Sequence, residues 1–210
     1  MKTRPLTVIS AALIIAGTTS SFGQDGAGEL RFANTPATPI LVFDSTTGTA
    51  AKIYGSTEIY EFGLYMGPAA STLLSQMQLV DTFAYRGPPT PTSGLAGIID
   101  GGVVISPGYG ANPTDFLAGT TYAFYVAGWT SADGSTYNQA LASEDPAGYA
   151  GISALGSVTP LAYPASPAPN LFGTSVGQIG GFTLYGTPEP ATLALGGLGA
   201  ALLLLFRRRE

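Results

Sequence analysis

Residues 58–66 alternate: Tyr60, Phe62, Leu64 and Met66 fall on one face, with Glu61 and Gly63 on the other. A side-chain period of two is that of a β-strand with one face in a core. Residues 120–129 form the strongest such segment, with Tyr122, Phe124 and Val126 opposite Ala123, Tyr125, Ala127 and Trp129. Shorter strand patterns occupy 29–33, with Leu30 and Phe32 on one face, and 40–43, 79–85, 101–106 and 180–185. The core is therefore expected to contain Phe32, Tyr60, Phe62, Leu64, Phe124 and Val126.

Breaks between these runs carry turn chemistry. Residues 45–48 read as a turn and Gly67-Pro68 ends the strand before it. Residues 69–78 match one short helix, with Leu73, Leu74 and Met77 on its apolar side. Gly87-Pro88-Pro89-Thr90-Pro91 is a stiff connector, because each proline fixes φ and removes a donor. Residues 107–113 form a Gly/Pro loop, 148–155 a Gly-rich edge or loop, and the proline-rich stretch 161–170 an extended surface crossing. Asp133-Gly134 suits a tight turn and predicts a hairpin into a strand at 137–141. About eight short strands separated by turns predict an all-β body, an antiparallel β-sandwich or jelly-roll-like domain. No internal repeat points to a solenoid.

Both ends depart from this pattern. Lys2 and Arg4 precede an apolar run at 8–16, and the small residues Ser21 and Gly23 sit at −3 and −1 before Gln24. Those are the parts of a secretory signal, so residues 1–23 are expected to form a signal helix cleaved between Gly23 and Gln24 by signal peptidase. At the other end Thr187-Pro188-Glu189-Pro190 leads into uncharged residues 191–206 and then Arg207, Arg208 and Arg209. Sixteen helical residues would span about 24 Å, short of the roughly 30 Å hydrocarbon core but usable with snorkelling. The expectation is a transmembrane helix at 191–206, with the arginines as a cytoplasmic stop-transfer cluster. The chain thus divides into 1–23, a β-rich extracellular domain at 24–186, and a C-terminal segment at 187–210.

Charge sharpens the picture. Of the eight basic residues five lie at the ends, so the body holds Arg31, Lys52 and Arg86 against eleven acidic residues, a net charge of −8. Nucleic acid is excluded as a partner, because binding it requires clustered Lys and Arg. The chain has no cysteine, so an exported body must hold together by packing and hydrogen bonds. It has no histidine either. A Ser/His/Asp or Cys/His apparatus and the usual zinc sites are therefore impossible.

The remaining candidates for chemistry are carboxylates and aromatics. Glu58 with Glu61, or Glu144 with Asp145, could be drawn as a glycosidase pair, but nothing in the sequence shows the carboxyl separation that mechanism needs. Asp133-Gly134-Ser135 lacks an EF-hand or repeated calcium pattern. Gly108-Tyr109-Gly110 has no lysine or following helix to make a phosphate loop. Tyr65, Tyr109, Tyr125, Trp129, Tyr137 and Tyr149 could stack on sugar rings, or simply pack the core. No enzymatic activity, cofactor or metal is expected.

Pro188-Glu189-Pro190, an apolar run and terminal arginines together resemble the PEP-CTERM sorting signal, a tail also known as the ice-binding protein C-terminal domain. The resemblance implies an exosortase, a membrane cysteine peptidase, as partner and cleavage near the Pro-Glu-Pro motif in bacteria that make extracellular polysaccharide. It implies a protein anchored in the membrane in transit and then delivered to the cell surface or extracellular matrix. The order of Gly28-Glu29-Leu30-Arg31-Phe32-Ala33-Asn34, the strand from Tyr60 and the segment ending at Trp129 also resembles an uncharacterised β-rich body of PEP-CTERM proteins. A non-enzymatic protein associated with extracellular polysaccharide is the leading reading. The alternatives are a carbohydrate- or ice-binding module, which needs a flat Thr-rich or aromatic face, and a glycosidase, which needs a cleft with two facing acids.

Overall fold

A computed structural model describes residues 26–45, 47–54, 58–88, 90, 93–106, 115–143, 148–165 and 167–186. Among the described residues eleven strands run in chain order: β1 (Gly28–Ala33), β2 (Leu41–Asp44), β3 (Thr49–Lys52), β4 (Tyr60–Pro68), β5 (Gln78–Tyr85), β6 (Asp100–Ile105), β7 (Tyr122–Thr130), β8 (Tyr149–Ile152), β9 (Gly156–Val158), β10 (Leu161–Ala162) and β11 (Thr183–Gly186). Between them the described residues include one α-helix, α1 (Tyr137–Ala142), and two single-turn 3-10 helices.

The strands form a small sheet, β10-β1-β6, and a large one ordered β3-β2-β11-β8-β7-β4-β5, with β9 pairing beside β8 on β7. Ser153 bridges β8 and β9: its N–H donates to the Val126 carbonyl at 2.8 Å, and the Val126 N–H donates to its hydroxyl at 3.0 Å. The ladder along β7 thus continues where the partner strand breaks.

The alternating residues do what their period requires. Phe32, Phe62, Leu64, Phe124 and Val126 are fully buried, and Tyr60 is nearly so. They join Leu30 and Val104 from the small sheet and Leu184 from β11 in one apolar layer. Phe32 and Phe83 meet edge to face at 4.9 Å between the sheets. On the reverse face of the large sheet, Trp129, Ala127, Tyr65 and Ala150 pack with Tyr137 and Ala140 of α1. Because both faces of β7 are covered, its two sets of alternating residues are both apolar.

Several expectations are corrected. The antiparallel sandwich or jelly roll gives way to a large mixed sheet, because Thr183 and Leu184 of β11 pair in parallel with Leu41 and Val42 of β2. Alternation reports which face of a strand is buried, and carries no information on neighbour or direction. The hairpin strand at 137–141 is instead α1, where the Thr136 hydroxyl accepts from the Gln139 N–H at 3.3 Å and Tyr137 and Ala140, one turn apart, are buried. The helix expected at 69–78 contracts to a single 3-10 turn, Leu74–Gln76. β3, with only Ala50 and Ala51 as apolar residues, had no strand pattern to read.

The transmembrane helix is corrected as well, together with the membrane as partner and the membrane-anchored stage of transit. No helix among the described residues is long and apolar enough to cross a membrane. α1 has six residues, about 9 Å of helix against a core of roughly 30 Å. The stretch 191–206 and the signal segment 1–23 lie outside the described residues.

Asp81 of β5 stands opposite Leu64 where the β4–β5 register shifts. Burial raises its carboxyl above the ordinary aspartate value, and the N–H of Thr82, 2.9 Å from Oδ1, offsets this only in part. The folded state therefore holds this proton more tightly than the unfolded chain does. The associated stability is full below the unfolded pKa and is lost as pH rises through the folded one. Asp81→Asn, which keeps the acceptor, is expected to raise Tm at neutral pH, with the gain vanishing below about pH 4. Thermal melts of both proteins across that range check it; a gain independent of pH would contradict the assignment.

Candidate functional site

The β2–β3 hairpin is built by a turn that needs a positive φ. Gly48 sits at φ 68° and donates to the Asp44 carbonyl at 2.9 Å. Beside it the Thr47 hydroxyl donates to Asp44 Oδ2 at 2.9 Å and lies 2.8 Å from the Thr49 hydroxyl. Beyond β3, Ile53 is buried and its N–H donates to the Ile40 carbonyl at 3.2 Å, which leaves the following Tyr54 46% exposed.

These residues wall an open cleft of about 370 Å³, completed by Glu58, Tyr60 and Tyr149. The Tyr60 hydroxyl donates to Glu58 Oε2 at 2.8 Å. Burial first, and the Glu58 carboxylate second, push the Tyr60 hydroxyl well above the ordinary phenol range. It keeps its proton and remains a donor to Glu58 at any physiological pH. The wall therefore combines two acids, Asp44 and Glu58, one amine, Lys52, two threonine hydroxyls and tyrosine rings.

The residues singled out by sequence scatter. Glu58 reaches this cleft, but Glu61 pairs with Trp129 on β7, on the strand face opposite Tyr60, so the two glutamates do not face each other. Glu144, Asp145 and Gly108-Tyr109-Gly110 lie outside the described residues. Asp133 is buried and its Oδ1 accepts from the Ser143 hydroxyl at 2.8 Å, so Asp133-Gly134 closes a 3-10 turn before α1 and starts no hairpin. Among the described residues no group of three or more His, Cys, Asp or Glu is placed to hold a metal. Tyr65, Trp129 and Tyr137 are core residues. The Tyr125 hydroxyl donates to the Thr72 carbonyl at 2.9 Å. Of the six aromatics, Tyr149 lines the cleft. Tyr54, Asp44 and Lys52 were not read as site residues, because no periodic run or motif contains them.

The cleft also lies beside the end of β11. Tyr149 on its wall pairs with Gly186, the last residue of β11. Gly23, Gln24, Pro188, Glu189, Pro190, Arg207, Arg208 and Arg209 all lie outside the described residues.

Fold and termini together describe an all-β body followed directly by a C-terminal segment. Residues 187–209 match the PEP-CTERM protein-sorting motif. The chain thus carries a sorting motif consistent with an exosortase substrate. No curated protein and no solved structure matches the chain.

Proposed function

We propose that this is an exported, exosortase-processed protein of the cell surface or extracellular matrix. In this reading the mature chain begins at Gln24, is cut near Pro188-Glu189-Pro190, and acts without enzymatic chemistry in association with extracellular polysaccharide. The observation that carries it is the match at 187–209, which begins one residue after β11 ends. A body that finishes its sheet at Gly186 and continues at once into a sorting motif is a folded cargo with a removable address.

The charge of the body, −8, fits a partner that is not itself a polyanion. Among the alternatives, a flat ice-binding face finds little support, since each described strand carries at most one threonine. A carbohydrate-binding role is favoured over it by the cleft at Tyr54.

Replacing Pro188 or Glu189 with alanine is expected to leave the exported protein at its longer, unprocessed mass in a host that has the exosortase. Intact-mass spectrometry of the exported protein reads this. Variants trimmed as efficiently as the wild type would count against the proposal.

A further inference from the structure

We propose that the cleft bounded by the β2–β3 hairpin, Tyr54, Glu58 and Tyr149 binds a short segment of neutral polysaccharide. This rests on the association with extracellular polysaccharide proposed above and gives it a place on the body. Asp44 and Glu58 as carboxylates only accept hydrogen bonds, Lys52 only donates them, and the Thr49 hydroxyl does both. A ligand that satisfies all of these at once carries groups that donate and accept at closely spaced positions, as vicinal sugar hydroxyls do. Tyr54, 46% exposed in the wall, and Tyr149 add aromatic surface of the kind on which the apolar face of a sugar ring rests.

Two features show a preorganised site. The carboxylates are held in place by hydroxyls, Thr47 on Asp44 and Tyr60 on Glu58, at 2.9 and 2.8 Å. A hydroxyl donor orients a carboxylate without neutralising it, so little ordering remains for the ligand to impose. The volume, about 370 Å³, lies at the small end of the range for ligand clefts and suits a short stretch of a chain that passes through an open groove. Sign selects among saccharides. Two acids against one amine in the wall, on a body of charge −8, oppose a uronate-bearing chain and leave a neutral one unopposed.

The test uses the mature protein and oligosaccharides of matched length built from glucose, mannose or galactose, with oligogalacturonate as the anionic member, titrated by calorimetry up to about 10 mM. At least one neutral oligosaccharide is expected to bind. Tyr54→Ala is expected to weaken it about tenfold, a loss within the range seen for aromatic contacts. Glu58→Gln, in which the side-chain oxygen still accepts from Tyr60, should weaken it as well. Tyr54 is half exposed, so its variant keeps the core, and an unchanged thermal melt verifies this. Binding of a neutral oligosaccharide that both variants retain would overturn the cleft and spare the polysaccharide association. No binding by any neutral member, or tighter binding of oligogalacturonate, would overturn both and leave the exosortase processing to be judged by mass. Shortening of a bound oligosaccharide that stops in Asp44→Asn or Glu58→Gln would replace the binding site with an active site.

Discussion

Trp129→Ala is expected to cost about 3–5 kcal/mol of folding stability, the range for removing a large aromatic from a core. Trp129 is fully buried on β7 and is the chain's single tryptophan. It belongs to the apolar layer that joins α1 to the reverse face of the large sheet. Gly63 on β4 is the floor of its site, since a Cβ there would come within 3.1–3.2 Å of the indole ring. The indole N–H donates to the Gly134 carbonyl at 2.9 Å, which ties the turn before α1 to the strand. Truncation therefore opens a cavity and strips that carbonyl of its partner together. Trp129→Phe keeps part of the ring packing and should lose less. Urea unfolding followed by far-ultraviolet circular dichroism measures all three proteins. A loss under about 1 kcal/mol for the alanine variant would mean that the α1 layer adds little to the fold.

Gly151→Val is expected to be comparably damaging, at about 3–5 kcal/mol, for a different reason. Gly151 lies on β8 against β11, and a Cβ there would stand 2.3 Å from the Thr183 carbonyl oxygen and 3.0 Å from the Leu184 Cα. Both obstacles are backbone, so no side-chain rotation relieves them. β11 must move, and the fully buried Leu184 moves with it. Hydrogen exchange should show the amides of β11 losing protection first. Gly94→Ala is the control, with open space around its added Cβ, and should stay within about 0.5 kcal/mol of the wild type. If the two substitutions cost the same, the close approach of β8 and β11 would be refuted.

These two positions also show how far the sequence could be read. Trp129 belongs to a strand with clean alternation, and β1, β4 and β7 were legible for that reason, as were the six expected core residues, all now buried. Gly151 lies in a stretch without alternation, and its neighbour across the sheet, β11, is more than thirty residues away in the chain. Strand order and direction depend on which backbones find each other, so the parallel β2–β11 pair left no local mark. At 133–141 a local mark existed and pointed two ways. The Asp133-Gly134 pair suggested a hairpin, while Thr136 as a cap and the spacing of Tyr137 and Ala140 favoured the helix that forms.

The cleft was legible only in fragments. Glu58 and Tyr149 stood out by residue type, but Asp44, Lys52 and Tyr54 join them only when the β2–β3 hairpin is folded beside β8. The sorting motif is contiguous, so its reading needed no fold, and the match at 187–209 coincides with it.

Removal of that motif is tested by the intact mass of the exported protein from its producing host with and without the exosortase gene. With the peptidase present, the mass should correspond to a chain that starts at Gln24 and ends near Pro188-Glu189-Pro190. Without it, the mass should be larger by at least the residues of the motif, 187–209. The same mass in both strains would mean that the exosortase does not remove the motif.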